Sequence, residues 1–143
     1  MAVDDGLVTG VVAATLDHVQ VAGTVELTVR LTDDEALREL NRRYRGRDEP
    51  TDVLSFSALE GGDQFVLPPD QPRQLGDVVI SYERAVQQAA AYGHDLRREI
   101  AWLSVHGALQ LLGFRHDDPE VEREMREAEE SILTAAGLER PGR

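Results

Sequence analysis

Residues 95–116 read D-L-R-R-E-I-A-W-L-S-V-H-G-A-L-Q-L-L-G-F-R-H. Asp95 has the side-chain oxygen that caps orphan N–H groups in a first helical turn. Gly113 supplies the left-handed residue that stops a helix and turns the chain. The residues between them are mostly apolar, so the spacing predicts a long apolar helix over 95–112, placed centrally. Working back, Ser81 caps a helix over 82–92 that Gly93 ends, and 75–81 and 51–58 read as strands. Residues 60–74, with Gly61, Gly62, Pro68, Pro69 and Pro72, form a long excursion between those strands.

Earlier still, residues 24–31 alternate. Val25, Leu27, Val29 and Leu31 take one side and Glu26, Thr28 and Arg30 the other, the pattern of a half-buried strand. Thr32 opens T-D-D-E, a capping box, and a helix through about Tyr44 with Ala36, Leu37, Leu40 and Tyr44 as its buried stripe. Val8, Val11, Val12, Leu16 and Val19 mark a first helix over 7–19, and residues 1–5 are a candidate additional strand. Asp118 and Pro119 start a last helix to about Ala136, closed by Gly137. Strands followed by a run of helices give an α+β fold. We expect a small mixed sheet packed by about five helices, with the His106 helix at the floor of a cleft, in a single domain over residues 1–143.

The 143 residues suffice to bury a core without disulfides, and there is no cysteine, which excludes thiolate metal sites. No apolar run approaches the ~20 residues that span a bilayer, and the acidic start lacks the basic residues of a signal peptide. A soluble cytoplasmic protein, away from membranes, is the expectation. The net charge of −12 argues against general nucleic-acid binding and against DNA as a partner. Its distribution is uneven. Arg42, Arg43, Arg45 and Arg47 stand in a stretch without acids, whereas residues 117–130 hold eight acids against Arg123 and Arg126.

His106 and residue 110 lie one helical turn apart on one face. His116, three residues past the Gly113 stop, can reach the same point from outside the helix. Three side chains can thus converge on one metal and leave a position for water. The motif H-E-x-x-H of zinc peptidases places its general base directly after the first histidine. Here that position is Gly107, which disfavours peptide hydrolysis.

The segment from His106 to His116 resembles the YbeY family signature H-G-x-L-H-L-x-G-Y-D-H, departing at Gln110, Phe114 and Arg115. Asn41 through Arg45 followed by Pro50-Thr51-Asp52-Val53-Leu54-Ser55-Phe56 is similar to the family's N-x-x-Y-R…P-T-D-V-L-S-F block. Leu75-Gly76-Asp77-Val78-Val79-Ile80-Ser81 is similar to L-G-D-I-V-I-S, and Gly93-His94 and Glu99 fall where the family has G-H and a helix glutamate. The resemblance implies a metal-dependent, single-strand-specific endoribonuclease that matures the three-prime end of small-subunit ribosomal RNA and acts in ribosome quality control. Its implied partners are single-stranded RNA and the small ribosomal subunit, and its implied cofactor is one Zn2+. It implicates Arg45 in cleavage beside His106; Arg42, Arg43 and Arg47 are then peripheral phosphate contacts or helix-end cations.

Gln110 leaves three readings open. A weakened zinc site is held by His106, Gln110 and His116, since an amide oxygen is a poorer zinc ligand than imidazole. Alternatively Asp117 or His94 supplies a third ligand. Under the last reading no metal binds, and His106 and Gln110 are hydrogen-bonded polar residues. That case corresponds to a second function, a catalytically inactive RNA- or ribosome-binding module. Asp52 and Asp77 are equally placed for the site or for structure; Ser55 reads as a small polar core residue and His94 as structural. His18 reads as surface, Trp102 and Leu103 as core, and the acidic last helix as a solvated face.

Overall fold

The computed structural model describes residues 5–58, 73–114 and 117–138. In chain order these form α1 (Asp5–His18), β1 (Val25–Thr32), α2 (Asp34–Arg45), β2 (Val53–Ser57), β3 (Arg73–Ser81), α3 (Tyr82–Tyr92), α4 (Leu96–Leu111) and α5 (Pro119–Ala135). The fold is α+β with five helices and a mixed sheet of three strands among the described residues. Most of the expected excursion, residues 59–72, lies outside the described residues, as do residues 1–4 of the candidate extra strand.

The sheet order is β1-β3-β2, with β3 parallel to β1 and antiparallel to β2. Register decides which faces meet the helices. Val29, Val78 and Ser55 are paired neighbours on one face, and Thr28, Asp77 and Phe56 on the other. β3 begins at Arg73, earlier than its apolar pattern indicates, because its first residues pair along β1 while remaining exposed.

α4 lies between two apolar layers. One side packs Ile100 and Leu103 with Val53, Val78 and Ile80 of the sheet and Ala85 of α3. The other packs Ala101, Val105 and Leu109 with Val11 of α1 and with Met125, Ala128, Ile132 and Leu133 of α5. That double burial is why the helix is apolar on nearly all sides.

Caps fall close to the expected positions. The side chains of Ser81, Asp95 and Asp118 cap α3, α4 and α5, and Gly93 ends α3 at φ 70°. α2 departs by one residue: its cap is Asp33, which accepts from the Ala36 amide, because Thr32 is still paired with Ser81 in the sheet. Its stripe departs too. Leu37 and Asn41 are buried, whereas Tyr44 is 54% exposed and meets Phe56 edge-on at 5.3 Å between centroids.

Candidate active site around His106

Gly107 brings α4 against the sheet. A Cβ there would sit 2.4 Å from Val78 Cγ1 and 3.2 Å from Ser55 Oγ. A glutamate at this position, as a peptidase would require, has no room. The same closeness lets the Ser55 hydroxyl donate to the Gly107 carbonyl oxygen at 2.8 Å. Ser55 Oγ also lies 3.3 Å from Oε1 of Gln110. Ser55 is half-buried and sits beside the candidate site, where a role in lining the cleft and a role in packing are both open to it. Period-two alternation from buried Val53 puts its side chain on the α4 face.

Arg45, the last residue of α2, reaches the same strand. Its Nη2 donates to the Ser55 carbonyl oxygen at 2.7 Å, and its guanidinium carbon stands 4.9 Å from the centre of the Phe56 ring. Ser55 thus joins Arg45 through its backbone and the turn from His106 to Gln110 through its side chain. The neighbouring arginines are differently engaged. Arg42 pairs with Glu39, whose hydrogen bond raises the arginine's pKa and lowers the carboxyl's. Arg43 lies beside the Tyr44 ring, and Arg47 is 3.9 Å from Glu49. The arginine run is contiguous in sequence, but the fold brings acids to two of its members.

His106 is held from the α5 side. Its Nδ1 is 2.8 Å from Oε1 of Glu129, and Oε2 of the same carboxylate accepts from Trp102 Nε1 at 2.8 Å. The indole stacks on the imidazole with centroids 4.8 Å apart and 25° between planes. Glu129 is 3% exposed, so the acidic helix is not solvated all round. Sequence reading missed this residue because it stands in a run of acids. The available signal was its register, one turn after Met125 and one before Ile132, on the apolar stripe. Trp102 is half-buried and contributes its N–H as well as packing, while Leu103 is fully buried.

His116 and Arg115 lie outside the described residues. Among the described residues, no three His, Cys, Asp or Glu side chains gather to hold a metal. His94 is not a candidate ligand: its Nε2 is 2.6 Å from Oε1 of Glu99, and both side chains are wholly buried. Asp117 is exposed. Asp52 accepts from Gln88 through its side chain and from the Ser81 amide through its carbonyl, contacts that tie β2 to α3 and to the end of β3. Asp77 points away from α4, into an open pocket of 360 Å³ shared with Arg30, Tyr44 and Phe56.

The geometry of His106 fits a metal ligand. Ligating imidazoles characteristically give their second ring nitrogen to a carboxylate, and Glu129 occupies that place.

Residues 4–137 match the family model described as Endoribonuclease YbeY. The chain belongs to the YbeY family. Proteins named endoribonuclease YbeY include one from Roseiflexus sp. (strain RS-1), 53% identical over 139 residues, covering 96% of this chain and 87% of that protein. Another, from Chloroflexus aggregans, is 49% identical over 141 residues, covering 98% of this chain and 92% of its own. The fold agrees with the solution structure of TM1509 from Thermotoga maritima at a TM-score of 0.58, with 21% identity over 96% of this chain and 88% of that one. Within the YbeY frame, Ser55 and Val78 meet α4 at Gly107, next to His106, and Arg45 reaches the same strand at the Ser55 carbonyl oxygen. No helix among the described residues is long and apolar enough to cross a membrane.

Proposed function

We propose that this protein is a single-strand-specific endoribonuclease of ribosomal RNA processing. Its substrate is the three-prime end of small-subunit ribosomal RNA, met on the small ribosomal subunit in the cytoplasm, where the same cleavage serves ribosome quality control. Family membership supports RNA phosphodiester cleavage, and the linkage of Arg45 to the His106 turn through Ser55 carries the assignment of the site. Arg45 binds the phosphate beside the scissile bond and stabilises the charge that builds on it. Arg42, Arg43 and Arg47 extend that contact along the strand, with Arg42 and Arg47 weakened by their acids.

His106, Gln110 and His116 would hold one zinc ion, His106 through Nε2 because Nδ1 faces Glu129. Zinc supplies Lewis acidity toward a phosphoryl oxygen. Gln110 weakens the site, since its neutral oxygen suits zinc less well than an imidazole nitrogen. The amide's orientation bears on this. Ser55 has one hydroxyl proton, and the Gly107 carbonyl at 2.8 Å is its better acceptor than Gln110 Oε1 at 3.3 Å. Turning the amide over lets its NH2 donate to Ser55 and frees the carbonyl oxygen for the cation.

The test is cleavage of a single-stranded RNA oligonucleotide against the same sequence in a duplex, with and without a chelator. Cleavage confined to the single strand, lost with chelator and reduced about 10²-fold in Arg45→Ala, is the expected result. RNA that is bound but left intact, with no zinc retained, would establish a binding module instead.

A further inference from the structure

Glu129 lies outside the motif, and what it does to His106 goes beyond the contact already described. It comes from α5, far along the chain from the histidine it meets. A buried carboxylate is costly unless hydrogen-bonded donors surround it. Here the donors are the Trp102 indole N–H on Oε2 and the His106 ring nitrogen on Oε1. An ionised carboxylate only accepts, so the proton of a neutral His106 belongs on Nδ1 and the lone pair on Nε2. Trp102 completes the arrangement twice over. Its N–H keeps Oε2 turned away so that Oε1 faces the histidine, and its ring lies against the imidazole and blocks rotation about the His106 side chain.

We propose that Glu129 is the positioning residue of the site: with Trp102 it fixes both the tautomer and the ring plane of His106. This rests on the metal-site reading above, but it makes a claim about the protein without metal. Three elements of its geometry belong to one turn of α4 and one residue of α5, so His106 is set before any ligand arrives.

Nitrogen-15 NMR of the full-length, zinc-stripped protein, at a pH where His106 is neutral, reads the tautomer directly. The parent should show a single form with the proton on Nδ1. Glu129→Gln, whose amide can donate as well as accept, should show a mixture or the opposite form. Zinc affinity, measured by competition with a chelating dye, should fall about 10- to 100-fold in that variant. Trp102→Phe keeps the stacking ring and removes only the donor, so it should shift both readouts in the same direction by less. A folded Glu129→Gln protein with the parent's tautomer and zinc affinity overturns the proposal. If Glu129→Gln does not fold, an unchanged tautomer in Trp102→Phe overturns it equally. A parent that binds no zinc would defeat the metal reading alone, since the tautomer readout still judges Glu129.

Discussion

The Ser55 hydroxyl and the Gly107 carbonyl oxygen are 2.8 Å apart, so β2 rests directly on the backbone of α4. Contact this close is possible only without a Cβ at residue 107. Gly107→Ala should destabilise the protein by about 1–3 kcal/mol through overpacking against Val78, despite alanine's better helix propensity. Urea unfolding measures this. In a Val78→Ala background the same change should cost measurably less, because the Cγ1 atom 2.4 Å from the new methyl is gone. Equal costs in both backgrounds would mean that the helix simply shifts away from the sheet.

The arginine cluster makes a different prediction. Arg42 is tied to Glu39 on the exposed face of α2. Glu39→Gln should release it, tightening binding of single-stranded RNA at low salt. The slope of log affinity against log salt should steepen by about 0.7, the value for one further phosphate contact on a single strand. Arg42→Ala in the parent should change that slope by less. Filter binding across a salt series distinguishes the two.

His94 and Glu99 form a buried pair with Nε2 and Oε1 2.6 Å apart. His94→Ala leaves the Glu99 carboxyl buried without that partner, and should cost about 3 kcal/mol in unfolding free energy. Zinc affinity of the folded variant should remain that of the parent. A drop in affinity without loss of stability would return His94 to the ligand set.

Gln110→His restores an imidazole one turn after His106. It should raise zinc affinity by about tenfold or more and increase RNA cleavage. Dye competition and oligonucleotide cleavage report the two effects separately. Unchanged affinity would show that residue 110 does not face the ion.

What the sequence discloses follows from how locally each feature is encoded. The caps at Ser81, Asp95 and Asp118 and the stop at Gly93 depend on a few adjacent residues, and they were readable directly. The α2 cap was displaced by one residue because Thr32 answers to a strand pairing with Ser81, a partner distant in the chain. Tyr44 followed helical spacing, yet it stands at the exposed end of α2 against Phe56, where period alone does not report depth. Ser55 reads as core more readily than as cleft lining, and Glu129 goes unremarked, for opposite reasons. A small polar residue in an apolar strand looks like filler, and an acid among acids looks like surface. Both are revealed by counting which face of their element they occupy, and what they touch is fixed only by tertiary packing.

The placement of α5 bears on how the molecule comes into being. Met125, Ala128, Ile132 and Leu133 cover one side of α4, and they are made after Arg45, His106 and Gln110. A growing chain that has delivered Arg45, His106 and Gln110 but not α5 has every signature residue within it and neither a covered core nor the Glu129 carboxylate. If Glu129 sets His106 as proposed, a chain still short of α5 should lack competence to cut RNA and pose little danger to the ribosome making it.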